Sequence, residues 1–238
     1  MRLRLTLEYD GTGFRGWARQ PGLRTIEGTV RDAFDRVFPH WDALAVGGRT
    51  DTGVHARGQV CSVEVGGGPP LDRVAEALNT ALPDDVAIIA AAEAPGDFHA
   101  RFSARSRSYR YVVLNRRERS ALEARRALWW PQPLHVEALD AAALPIVGEH
   151  DFRAFTPTET QHQVFRRDVR SARWERHGDH VHFTITADSF LRHMVRTLVG
   201  TMLERGGEGL PELLRGAPRT EAGMTAAPWG LYLEHVEY

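Results

Sequence analysis

Gly47-Gly48-Arg49-Thr50-Asp51-Thr52-Gly53-Val54-His55-Ala56-Arg57-Gly58-Gln59-Val60 is the stretch on which the reading of this chain turns. Ala43–Val46 before it and Gly58–Val65 at its end read as strands, so the segment is a glycine-cut loop between two strands. Arg49, Asp51, His55 and Arg57 crowd that loop. A sheet holds such a loop rigidly, which is where an enzyme places a reactive side chain. Arg49 and Asp51, two apart, face the same way if the backbone is extended, and an arginine beside a carboxylate keeps it ionised, as a nucleophile or base requires. The plainer alternative is a glycine-rich turn stapled by an Arg–Asp ion pair.

Working outward from the loop gives the fold. Upstream, Leu3–Tyr9 alternates like a strand, Asp10-Gly11-Thr12-Gly13 is a turn, and Thr25 caps a helix running to Phe38, with Val30, Ala33, Phe34, Val37 and Phe38 on one face. Downstream, Gly66-Gly67-Gly68-Pro69-Pro70 breaks the chain, Leu71–Leu82 reads as a helix and Val86–Ala92 as a strand. The order is β-α-β-β-α-β. The second half repeats it. Ser108–Leu114 is a strand and Val136–Val147 a helix. Asp168–Glu175 and His180–Ala187 are strands about a Gly178-Asp179 turn, Phe190–Glu204 is a helix, and Trp229–Val236 is a last strand. The expected fold is α+β, two split β-α-β halves with antiparallel sheets packed around a central catalytic cleft, one half over 1–100 and the other over 101–238, with the boundary near Pro95–Ser103.

The chain has 238 residues, 42% of them hydrophobic, enough to bury a sizeable core. No apolar run approaches the roughly 20 residues that a membrane span needs, and the alternating N-terminus lacks the apolar core of a signal peptide, so the expectation is a cytoplasmic protein with no membrane partner. Cys61 is the one cysteine. It excludes an intramolecular disulfide and a thiolate zinc site within one chain, and reads as a small core residue. The net charge of -1 argues against a general nucleic-acid binder. Yet every basic residue is an arginine, and arginines concentrate in Arg101–Arg126 and Arg166–Arg176; guanidinium forks suit phosphate recognition.

Gly48-Arg49-Thr50-Asp51-Thr52-Gly53-Val54-His55-Ala56 resembles the signature of the tRNA pseudouridine synthase A family. Other segments resemble that family in order along the chain: Glu8–Trp17 its opening strand and turn, Thr25–Gly28 the start of its first helix, Phe98–Tyr111 its central motif, Gly148–Phe155 and Phe190–Gly200 its C-terminal motifs, and Ala226–Leu233 its closing strand. Ala18 departs from the family's usual glutamine, and Asn115–Pro131 fits only loosely.

The resemblance implies an isomerase that converts uridine to pseudouridine at positions 38, 39 and 40 of the tRNA anticodon stem-loop. Its partner would be tRNA and its oligomeric state a homodimer, with no cofactor, metal or small-molecule cosubstrate. It implies Asp51 as the nucleophile, with Arg49 and Arg196 in the catalytic set. Tyr109 would stack on the flipped uracil, and Leu231, His55 and Arg57 would complete the substrate contacts. From the residues alone, Tyr109 reads first as a strand aromatic in the core, and Arg196 as a helix-end cap or a phosphate contact. His99, His150 and His193 belong to these motifs, but the reaction requires no histidine. Two other readings stay open at this point: a glycosidase acting on nucleosides, which would need a second carboxylate, and a non-catalytic RNA-binding module built on RRM-like sheets.

Overall fold

Alternation decides the first strand. In β1 (Arg2–Tyr9) Leu3, Leu5, Leu7 and Tyr9 are buried while Arg2, Arg4, Thr6 and Glu8 face the other way. The computed structural model describes residues 1–160 and 162–238. They form two units, Met1–Arg105 with Leu233–Tyr238, and Ser106–Tyr232.

In the first unit β1 is followed by α1 (Ile26–Val37), β2 (His40–Val46), β3 (His55–Gly66), α2 (Val74–Ala81) and β4 (Val86–Glu93). The Thr25 side chain accepts from the Gly28 N–H at 3.3 Å and so caps α1, whose buried stripe is Ile26, Val30, Ala33 and Phe34. β1 lies between β3 and β4, antiparallel to both, with Leu5 opposite Cys61 and Ala91; β2 pairs with the far edge of β3. This is the strand order a split β-α-β unit produces. Cys61 is fully buried in β3, and burial pushes its thiol up, which makes it a packing residue and a poor nucleophile.

The second unit runs β5 (Ser106–Leu114), β6 (Leu128–Trp129), α3 (Val136–Ala143), β7 (Gly148–Asp151), β8 (Arg166–His177), β9 (His180–Ala187), α4 (Met194–Arg205), α5 (Leu210–Leu213) and β10 (Leu231–Glu237), whose residues from Leu233 onward belong to the first unit. β9 pairs antiparallel with β5 and β8, and β7 with β8; the short β6 runs parallel to the end of β5. β8 and β9 meet at His177 opposite His180, around Gly178 at φ +62°. α3 lies along β8, where Asp140 accepts the Trp174 N–H at 2.9 Å. The α+β class with largely antiparallel sheet is therefore as expected.

Several boundaries differ from the sequence reading. β3 begins at His55, three residues before Gly58, because Ala56 still pairs with Tyr9 past a register shift. His55 and Arg57 thus belong to a strand and not to the loop. The last long helix starts at Met194, not Phe190, since His193 takes a left-handed conformation (φ +63°) and Phe190–His193 stays outside the helix. α3 ends at Ala143 and the chain tightens to a 3-10 turn over Leu144–Ile146 around Pro145. β7 and α5 are too short for periodicity to reveal. No helix among the described residues is long and apolar enough to cross a membrane.

Candidate active site

Asp51 sits, half-buried, in the loop that joins β2 to β3. The loop is fastened on both sides of that residue. Before it, the Gln59 side-chain amide donates to the Gly48 carbonyl at 2.6 Å, and the Thr50 hydroxyl meets the Tyr9 hydroxyl at 2.8 Å. The same Gln59 amide lies 3.3 Å from the Tyr9 oxygen, which joins the three side chains in one buried network. After it, the Val54 N–H returns to the Asp51 carbonyl at 3.1 Å, closing a turn with Gly53 at φ +78°.

The segment Asp10–Trp17 packs against this loop, which gives the opening motif a physical role. The Trp17 N–H donates to the Thr50 carbonyl at 3.0 Å. A Cβ at Gly11 would lie 2.0 Å from the Val54 carbonyl oxygen; at Gly16, itself at φ +87°, it would lie 2.9 Å from the Thr50 oxygen and 3.3 Å from the Asp51 carbonyl carbon. Only glycine lets the two backbones approach so closely. His55 lies buried beneath the turn: its Nδ1 accepts from the Gly11 N–H at 3.0 Å and stands 3.2 Å from an Asp10 carboxylate oxygen. Arg49 and Arg57 are exposed on the same unit. A loop fastened this firmly on both sides of Asp51 is the kind of support that covalent or acid–base chemistry requires of its reactive residue.

The second unit carries the remaining expected residues. Tyr109 on β5 is 8% exposed and meets the Phe190 ring edge-on, centroids 5.0 Å apart. Phe190 lies in the segment that the late start of α4 leaves outside the helix. Arg196, in the first turn of α4, donates through Nε to the Ala226 carbonyl at 2.8 Å, while the Ala226 N–H donates to the Arg196 carbonyl at 3.0 Å. Beside it Tyr111 is fully buried and donates to the Ala227 carbonyl at 2.7 Å. Burial pushes the Tyr111 phenol up and the charge of Arg196 opposes that shift, so Tyr111 remains a donor. Leu231, at the start of β10, is buried. Within their units the structure therefore joins Asp51 to a support of Tyr9, Thr50, Gln59, Gly11 and Gly16, and Arg196 to the Ala226–Ala227 segment. Sequence reasoning gave that support no role. Among the described residues no group of three or more His, Cys, Asp or Glu is arranged to hold a metal.

Comparison with known proteins gives the family. A family model described as tRNA pseudouridine synthase matches residues 6–103 and 142–238. The stretch it omits contains the poorly fitting Asn115–Pro131. The chain is 39% identical to tRNA pseudouridine synthase A of Caldicellulosiruptor bescii over 98% of both chains. It is 40% identical to the protein of that name from Moorella thermoacetica over 99% of both. With that of Thiobacillus denitrificans it shares 40% identity, over 100% of this chain and 94% of the other. The chain belongs to the tRNA pseudouridine synthase family. Within it, the relatives matched from end to end are the enzymes called tRNA pseudouridine synthase A, which are isomerases.

Proposed function

We propose that this protein isomerises uridine to pseudouridine at positions 38, 39 and 40 of the tRNA anticodon stem-loop, with Asp51 as its catalytic carboxylate. The observation that carries the reading is the fastened Asp51 loop in a chain that follows this family from end to end.

In the reaction the C1′–N1 bond breaks, the uracil turns, and C5 bonds to C1′; the C5 proton leaves and N1 ends protonated. All heavy atoms are conserved, so the substrate needs no second reactant. Two routes use the same carboxylate. Asp51 bonds to C1′ as the glycosidic bond opens and is then displaced by C5, as in a retaining glycosidase, or it assists elimination to a glycal that C5 re-adds to. In either route the base must leave its stack. Tyr109 stacks on the flipped uracil and its hydroxyl relays the proton at C5. Arg49, exposed beside Asp51 in sequence, takes the place of the departed base. Arg196 pairs with the carboxylate in the closed complex, and Leu231 lines the pocket. Arg57 contacts the RNA. His55 acts from beneath the loop, through the Gly11 turn, where its ring is buried.

The protein works on tRNA in the cytoplasm as a homodimer, two subunits offering a longer basic surface than one chain of net charge -1. Release of tritium from transcript tRNA labelled at uridine C5 is the test. Release that requires a uridine at 38, 39 or 40 is expected; release confined to the T-loop, or none, refutes the assignment.

A further inference from the structure

The turn Phe98–Ser103 is built with more care than a connector needs. The His99 Nδ1 accepts from the Arg101 N–H at 3.2 Å and from the Phe102 N–H at 3.3 Å. His99 and Ser103 are doubly joined: the His99 N–H donates to the Ser103 hydroxyl at 3.0 Å, and the Ser103 N–H to the His99 carbonyl at 2.9 Å. The turn is also pinned to the sheet. The Ala100 N–H donates to the buried Ser62 hydroxyl at 3.0 Å, the Tyr238 hydroxyl donates to the Ala100 carbonyl at 2.8 Å, and Arg2 donates to the Phe98 carbonyl at 2.7 Å.

All this holds one side chain out in water. Phe102 is 76% exposed, whereas Phe14 and Phe34 are at 1% and 0%. The Phe102 ring lies 4.4 Å from that of His99, tilted by 32°, and the Arg101 guanidinium stands 5.3 Å from its centroid. The sequence neighbours around it, Arg101, Ser103 and Arg105, are polar and exposed. A single ring among polar groups is a poor seat for an apolar protein surface, which needs a contiguous patch. It is a good seat for a flat π system beside a phosphate: bases stack on aromatic side chains whatever their identity, and arginines hold the backbone next to them. The turn lies on the face of the β1–β3 pair that carries Arg4 and Ser62, opposite the helix-covered Leu5 and Cys61, and Arg4 itself stacks over Tyr238 at 4.7 Å. The turn is pinned at Ser62, seven positions beyond His55 along β3, ~23 Å at ~3.3 Å per residue, which sets its anchor away from the strand end where the Asp51 turn closes on Val54.

We propose that Phe102 is a stacking platform for an unpaired base of the RNA substrate, outside the nucleotide that is isomerised, with Arg101 holding its phosphate. This rests on the reading that the protein acts on tRNA. The test measures Kd for unmodified tRNA at several salt concentrations with the full-length wild type and with Phe102→Ala, Phe102→Leu, Phe102→Trp and Arg101→Ala. Loss of the ring is expected to weaken binding about tenfold, ~1.4 kcal/mol, at the lower end of what one base–aromatic stack contributes. Phe102→Leu should lose as much as Phe102→Ala, and Phe102→Trp should bind within about twofold of wild type. The slope of log Kd against log salt should not change for the Phe102 variants, because a stack neutralises no phosphate, and should fall for Arg101→Ala. Wild-type affinity in Phe102→Ala overturns the proposal, as does wild-type affinity in Phe102→Leu, which would mean apolar contact and no stacking. A change in sedimentation of Phe102→Ala also overturns it, by making the ring part of a subunit interface. Failure of the underlying reading shows separately, as a wild-type protein that releases no tritium from tRNA.

Discussion

Gly16→Ala places one methyl group against the backbone of the reactive loop. Its Cβ would stand 2.9 Å from the Thr50 carbonyl oxygen, 3.2 Å from the Thr52 nitrogen and 3.3 Å from the Asp51 carbonyl carbon. An ordinary contact needs about half an ångström more, and the crowded atoms are backbone, so the peptides flanking Asp51 must move. Two costs follow. Gly16 has φ +87°, and a left-handed alanine costs ~1–2 kcal/mol, which for a chain of this size lowers Tm by ~2–8 °C. The displacement acts on rate. Since a misplacement of ~1 Å costs ~100-fold, half of that should lower the single-turnover rate about tenfold with tRNA binding retained. Gly22→Ala separates the two costs: Gly22 also has positive φ (+72°), yet nothing lies within 4 Å of its added Cβ. Calorimetry and rapid-quench assays on both variants should show a loss of Tm in each, at least as large in Gly16→Ala, where the crowded backbone adds to the strain, with slowed chemistry in Gly16→Ala alone. A normal rate in Gly16→Ala, or equal slowing in both, would refute the claim that this turn positions Asp51.

Tyr9→Phe removes the hydroxyl that Thr50 and Gln59 share; leaving a buried hydroxyl short of a partner should cost ~1–3 kcal/mol, read as a lower Tm and a slower single turnover, and an unchanged melting curve would count against the network. Asp51→Asn keeps the shape of the loop and should fold and bind tRNA, but form pseudouridine at less than about a thousandth of the wild-type rate; more activity than that removes Asp51 from the chemistry. Tyr109→Phe keeps the ring and its edge-on contact with Phe190, so tRNA binding should survive while turnover drops, and a normal rate would leave the hydroxyl no part. Cys61, buried with its thiol pushed up, should react with a thiol reagent only after denaturant unfolds the protein; rapid labelling of the native protein would contradict that burial.

The element order was legible where strands alternate cleanly, as β1 and β9 do. Leu3, Leu5 and Leu7 face inward in β1, and Thr25 caps α1 where its motif predicted. What escaped the sequence were features decided by tertiary approach. His55 and Arg57 looked like loop residues because glycines surround them, but a ladder continuing to Ala56 makes them part of β3. The helix expected from Phe190 waits for Met194 because His193 turns left-handed, a choice that periodicity does not encode. The support of Asp51 did leave a trace. Tyr9 shares its parity with Leu3, Leu5 and Leu7, and Gln59 shares its own with Cys61 and Val63, so each puts a polar group where the strand points inward. A buried polar group needs a partner, and an inward tyrosine and an inward glutamine on neighbouring strands imply that they find each other. The glycines are different in kind. Nothing in the sequence separates Gly11, Gly16 and Gly22, and only the distance from each missing Cβ to its surroundings distinguishes the two that hold the Asp51 loop from the one that merely turns the chain. Glycines that permit a turn and glycines that permit two backbones to touch are indistinguishable until the fold brings the second backbone near, which is why a methyl group at Gly16 tests the site more sharply than any reading of its motif.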